Sequence, residues 1–162
     1  VSLSHFFSWP LDRCVDSLLD PSAALVPGER FGGHQVRQHM GRWDQHVRSW
    51  VDQTQLPVLI MRYEDMLSRG SETFTELATF LGLPNEANLI NQALENTSID
   101  RLKKLEEDVA GFAEKPAGCE RFFRSGRTGE GAEQLSIEQR KRLANGLSEA
   151  MKRFQYEGPE LD

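Results

Sequence analysis

The sequence predicts an α/β chain that is mostly helical and carries one strand. Two observations carry that reading. Apolar residues recur at helical spacing along most of its 162 residues, and a single run, VLIMRY after Pro57, is β-branched or apolar nearly throughout. Proline and glycine mark where one element gives way to the next.

In chain order, VSLSHFFSWPLDRCVDSLL predicts a short buried turn or helix, broken before Pro10, and then a second helical piece. Asp20 to Gly33, rich in Pro and Gly, reads as a loop. Val36, Met40, Trp43, Val47 and Trp50 place one apolar stripe on a helix, and core packing explains that stripe. Val58 to Arg62 is the predicted strand, and a continuous apolar run fits a strand buried on both faces. Ser71 can cap a helix through Phe74, Leu77, Ala78 and Leu81, which Gly82-Leu83-Pro84 stops. A helix from about Glu86 to Glu95 follows. Thr97 and Asp100 can form a capping box for a helix carrying Ile99, Leu102 and Leu105. Gly111 to Gly131 reads as a loop, and Ser136 with Gln139 opens a last helix with Leu143, Leu147, Met151 and Phe154 inward.

Composition narrows the function classes. At 38% hydrophobic, the chain can bury one domain-sized core. A net charge of −6 provides no global positive field, which argues against nucleic-acid binding, so any anion site must be local. Two cysteines 105 positions apart, Cys14 and Cys119, make no disulfide framework and suggest a reducing compartment. No apolar run approaches a membrane span. The histidines His34, His39 and His46 lack metal-site spacing, and the charges Lys103-Lys104 and Glu106-Glu107-Asp108 read as a solvated helix face.

The most informative stretch is FFRSGRTGEG, Phe122 to Gly131. Glycine lets backbone amides approach a ligand closely, and arginine offers a flat fork of donors matched to phosphate oxygens. By itself the stretch reads more readily as a flexible surface loop than as a phosphate cradle.

Several segments in register shift that balance, because they resemble the C-terminal half of the sulfotransferases that use 3′-phosphoadenosine 5′-phosphosulfate. VSLSHFF resembles the end of that family's RxxxDVxVSxxHF motif, WDQHVRSW its WxxHVxxW helix, and VLIMRYEDM its strand ending in YEDM. TFLGLP, NTSIDRLKKLE and FFRSGRTGEG resemble its FLG, TSFxxMxxxE and FxRKGxxGDW segments, and MKRFQY resembles its closing helix. The resemblance implies the C-terminal portion of a P-loop-like, three-layer fold, with residues 1–162 a partial domain that lacks the phosphosulfate-binding N-terminal half. It implies a cytoplasmic enzyme that transfers a sulfuryl group to a small-molecule hydroxyl or amine acceptor. By the same resemblance Ser2 matches the serine that binds the 3′-phosphate, Tyr63 a tyrosine that contacts adenine, and Thr97 a threonine near it. Arg124, Ser125 and Gly126 match the RKG triplet around the 3′-phosphate of the donor or of its product, adenosine 3′,5′-bisphosphate.

The match has departures. Ser125 stands where lysine is usual, Ile99 where an aromatic commonly packs on adenine, and Gly131 where GDW has tryptophan, with Glu130 keeping the acid. The family's dimer motif falls on Ala132, Ser136-Ile137 and Lys141 and loses both charges. No PKSGT-type or GxxxxGK[ST] loop occurs, and no catalytic residue can be named. The abrupt start at Val1 predicts a fragment whose open edges favour self-association. A non-catalytic helical binding module remains the alternative reading.

Overall fold

A computed structural model describes residues 1–25, 37–52, 55–108 and 120–156. The elements run α1 (Ser2–Phe7), α2 (Leu11–Leu19), β1 (Ala24–Leu25), β2 (Gln38–His39), α3 (Trp43–Val51), α4 (Tyr63–Ser68), α5 (Gly70–Phe80), α6 (Ala87–Asn96), α7 (Ile99–Asp108), α8 (Glu130–Gln134), α9 (Ile137–Gly146) and α10 (Ser148–Arg153). Among these residues, 1–25, 37–52, 55–56 and 129–156 belong to one compact unit, and 57–108 with 120–128 to a second.

In the first unit the core forms where α2 meets the C-terminal helices. Leu11, Cys14, Val15, Leu18 and Leu19 share one face of α2, and Cys14 and Val15 are buried together with Leu147, Ala150 and Phe154. Burial pushes the Cys14 thiol above its ordinary value. Helix α9 ends at Gly146, where a Cβ would stand 2.5 Å from Leu19 Cδ2. Trp43 packs edge-on to Phe154, with centroids 6.4 Å apart, and to Tyr156 at 5.9 Å. Polar links ring this core: Arg42 Nη2 donates to Gly146 O, Arg48 to Glu149 at 2.8 Å, Arg153 to Asp52, and Arg142 pairs with Asp16.

In the second unit α4 and α6 pack on α5. Thr73 is buried, and its hydroxyl donates to Asp65 O at 3.2 Å. Gly70 lies 3.5 Å from Leu94 by its would-be Cβ, so a small residue lets α5 and α6 approach. The predicted stop of α5 is a Schellman turn: Leu83 N–H donates to Ala78 O and Gly82 N–H to Thr79 O, with Gly82 at φ +65°.

Several expectations are met. Pro10 separates two helices, α6 falls within a residue of its predicted span, and Ser136 and Gln139 form a capping box with bonds of 3.0 and 3.2 Å. Others need correction. The predicted strand at Val58–Arg62 has no ladder partner among the described residues, and Ile60 is exposed, so the run is not a strand here. The strands that do form are two residues each, antiparallel, pairing Ala24 with His39 and Leu25 with Gln38. The stripe helix begins only at Trp43, because Gly41 at φ +63° turns the chain out of β2. Val36 lies outside the described residues, Met40 is exposed, and Trp50 is 65% exposed, so core packing does not explain the whole stripe. Helix α5 starts before Ser71, with Arg69 at its N-cap. The last helix is two, broken at Leu147 (φ −121°, ψ 14°), although Leu147 and Phe154 do face inward. Gly131 belongs to the short α8, not to the preceding loop. Residues 26–33 of the predicted loop at Asp20–Gly33 and 111–119 of the predicted loop at Gly111–Gly131, with His34 and Cys119, lie outside the described residues, as do 34–36 and 109–110.

Candidate functional site

Helix α7 organises the residues of the second unit that resemble a nucleotide site. At its start Ile99 lies directly against Gly126: a Cβ on Gly126 would be 2.9 Å from Ile99 Cγ1 and 3.2 Å from Ile99 Cβ. Gly126 itself sits at φ +63°, a conformation in which a side chain is strained. Glycine is therefore required here on two counts. The contact brings Arg124-Ser125-Gly126 to the junction of α6 and α7, where Thr97 and Ser98 lie.

At the other end of α7 the structure adds a residue that the sequence reading assigned to a solvated face. The two carboxylate oxygens of Glu106 accept hydrogen bonds from the backbone N–H groups of Phe122, at 2.6 Å, and Phe123, at 3.0 Å. Its neighbour Glu107 pairs with Arg121 at 2.9 Å. Charged runs look alike in sequence whether or not a loop returns to them. The one available signal was that Glu106 ends the TSFxxMxxxE-like segment.

Inside the loop, Ser125 Oγ accepts from Arg127 N–H at 3.4 Å, which folds the turn around the serine. A hydroxyl that accepts in this way still has a proton to donate. Arg124, Ser125 and Gly126 are all half-buried. The Phe122 and Phe123 amides are taken by Glu106, so neither N–H is left for a ligand.

Thr97 is exposed at the C-cap of α6, and its hydroxyl donates back to Ala93 O at 2.8 Å. The predicted Thr97–Asp100 capping box is thus replaced by a bond to the preceding helix, and the first α7 bond runs from Leu102 N–H to Ser98 O. Tyr63 opens α4, 46% exposed, between Arg62 and Glu64, whose charged groups approach to 3.9 Å. The structure gathers Thr97, Ile99 and the triplet around α7, with Tyr63 in the same unit. Ser2 belongs to the first unit, exposed at the start of α1.

The first unit also holds a cavity of about 260 Å³ lined mainly by apolar side chains, Leu3, Trp9, Leu25, Met40 and Trp43 among them, with Ser17 and His46 as polar members. Among the described residues, no cluster of His, Cys, Asp or Glu suits a metal ion, and no helix is long and apolar enough to cross a membrane.

Known proteins are similar to this chain in sequence. Cytosolic sulfotransferase 1 of Arabidopsis thaliana is 28% identical over 117 residues, covering 68% of this chain and 35% of that protein. Sulfotransferase 2A6 of Rattus norvegicus is 26% identical over 117 residues, covering 70% of this chain and 41% of its own length. The chain thus matches well under half the length of either relative. The model of the sulfotransferase domain matches residues 29–155, most of the chain, and on that match the chain belongs to the sulfotransferase domain family.

Proposed function

We propose that this chain supplies the 3′-phosphate and adenine side of a donor site for sulfuryl transfer from 3′-phosphoadenosine 5′-phosphosulfate to a hydroxyl or amine acceptor. The observation that carries the proposal is the turn at Arg124-Ser125-Gly126, held against Ile99 beside Thr97. Its donor set suits the ligand: a guanidinium fork and a hydroxyl on a turn with positive φ match a phosphate dianion. Tyr63 and Thr97 are the residues proposed to meet the adenine. Ile99 presents an aliphatic surface where an aromatic ring would stack, so adenine is held there by apolar contact.

The bound nucleotide would supply the activated sulfuryl group. The acceptor heteroatom forms a bond to sulfur while the bond from sulfur to the 5′-phosphate oxygen breaks, and the bisphosphate leaves with that electron pair. The acceptor's proton passes to a base that no residue of these 162 is assigned to provide. The chain's own part is to bind and orient the nucleotide. Ala23, Ala24 and Leu25, from the loop predicted at Asp20–Gly33, line the apolar cavity of the first unit, and an acceptor held there would have a compact apolar body.

Calorimetry with adenosine 3′,5′-bisphosphate tests the donor site. A charge-assisted hydrogen bond contributes roughly 1.5–3 kcal/mol, so Arg124→Ala should weaken binding by about one to two powers of ten. Binding that is indifferent to this substitution would remove the loop from the site. The chain alone is expected to bind without turnover; sulfuryl transfer by it would place a catalytic group among these residues.

A further inference from the structure

Helix α7 holds the candidate phosphate loop at two points. Near its C-terminal end Glu106 takes the consecutive N–H groups of Phe122 and Phe123, and at its N-terminal end Ile99 packs on Gly126. Ile99 to Glu106 is seven residues, or roughly 10 Å of helix at about 1.5 Å per residue. Phe123 to Gly126 is three residues, at most roughly 11 Å when fully extended. The stretch carrying Arg124 and Ser125 therefore runs back along the helix between its two holds. Glu106 thus holds the peptide group immediately before Arg124, through which a change at Glu106 reaches Arg124 and Ser125.

We propose that Glu106 is a positioning residue for recognition of the 3′-phosphate: it fixes the two peptide groups before Arg124 and so sets where the guanidinium and the Ser125 hydroxyl stand. This rests on the donor-site reading above. Electrostatics alone makes the opposite prediction. A carboxylate near an anion site repels the anion, so neutralising it should tighten phosphate binding. Positioning predicts that the same neutralisation weakens it, because a glutamine amide offers one acceptor oxygen where the carboxylate offers two.

The test compares adenosine 3′,5′-bisphosphate with adenosine 5′-monophosphate, which lacks only the 3′-phosphate, by calorimetry on the full chain. Glu106→Gln should weaken the bisphosphate about tenfold, the scale of one lost hydrogen bond, and leave the monophosphate within about twofold. Glu107→Gln makes the same charge change one residue along, loses only the Arg121 ion pair, and should leave the preference for the bisphosphate intact. Should Glu106→Gln fail to fold, Glu106→Asp keeps the charge and both oxygens but retracts them by about 1.5 Å, and it too should lose the preference. Equal loss for both nucleotides, tighter bisphosphate binding, or a preference retained in whichever of these variants folds overturns the role of Glu106. Arg124→Ala separates the two levels. If it leaves the preference unchanged, the donor-site reading falls and this inference with it. If it abolishes the preference while the Glu106 variants keep it, only this inference falls.

Discussion

Gly126→Ala isolates the contact that shapes the candidate site, and Gly82→Ala is its control within the same unit. Both glycines sit at nearly the same positive φ, +63° and +65°, so both substitutions carry a left-handed backbone penalty of about 1–2 kcal/mol. They differ in what the new methyl meets. Nothing lies within 4 Å of the Gly82 position, whereas at Gly126 the methyl would stand 2.9 Å from Ile99 Cγ1 and 3.2 Å from Ile99 Cβ. The second of those atoms is fixed to the α7 backbone, so a rotamer change at Ile99 cannot relieve the whole clash. Overpacking of this kind costs about 1–3 kcal/mol. Gly82→Ala should thus destabilise by about 1–2 kcal/mol, and Gly126→Ala by about 2–5 kcal/mol. In an Ile99→Ala background, which removes Cγ1, most of the excess at Gly126 should vanish while the backbone penalty stays. Urea unfolding of the four variants, read as a double-mutant cycle, supplies the comparison. If Gly126→Ala costs no more than Gly82→Ala, the loop does not rest on Ile99 and the geometry argued above is wrong.

Two further predictions concern the first unit. Asp44 is pushed up by partial burial, but the hydrogen bond and charge of Arg42, 2.9 Å away, outweigh that and hold it below its ordinary 3.8. A carboxyl depressed in the folded state contributes stability above its unfolded pKa and loses it as pH falls through the folded one. Melting temperature should therefore drop below about pH 4, and Asp44→Asn should flatten part of that drop; identical pH profiles for the two proteins would refute the role of the pair. Ser136→Ala removes the acceptor for Gln139 N–H and should cost about 1 kcal/mol, measured as a lowered urea midpoint, whereas Ser136→Asp should restore most of it.

What was legible in the sequence was local. Ser136 and Gln139 cap α9, Pro10 parts α1 from α2, and Gly82 ends α5, because each of those outcomes is decided within a turn of the residue concerned. The misses all depend on something distant or on local competition. Val58 to Arg62 has strand composition, but a strand exists only with a partner, and periodicity cannot supply one. Met40 continues the spacing of Trp43 and Val47 across Gly41, whose positive φ ends the helix that the spacing implies. Thr97 had two uses for its hydroxyl, and the bond back to Ala93 prevailed over the forward cap. Arg124, Ser125 and Gly126 were visible as residue types, but their attachment to α7 was not, because Ile99 and Glu106 lie 27 and 20 positions before Gly126 in the sequence.

The contacts of α7 also show how an anion site is compatible with a net charge of −6. At physiological salt the screening length is about 8 Å, so a phosphate at the loop responds to its nearest groups and hardly at all to the chain's total. Three acidic residues end α7, and a count of charges would make this a poor place for an anion. Two of the three are already engaged: Glu106 by the amides of Phe122 and Phe123, and Glu107 by Arg121. The acidic end of the helix thus serves to fasten the loop, which leads away from it toward Gly126 at the opposite end of α7. Along that stretch the charged side chain is Arg124, and the helix end it approaches is the N-terminal one, whose dipole also favours negative charge. The direction in which the loop runs along α7, and not the composition of the chain, brings Arg124 toward the N-terminal end of the helix, where Asp100 is the acidic residue of the first turn.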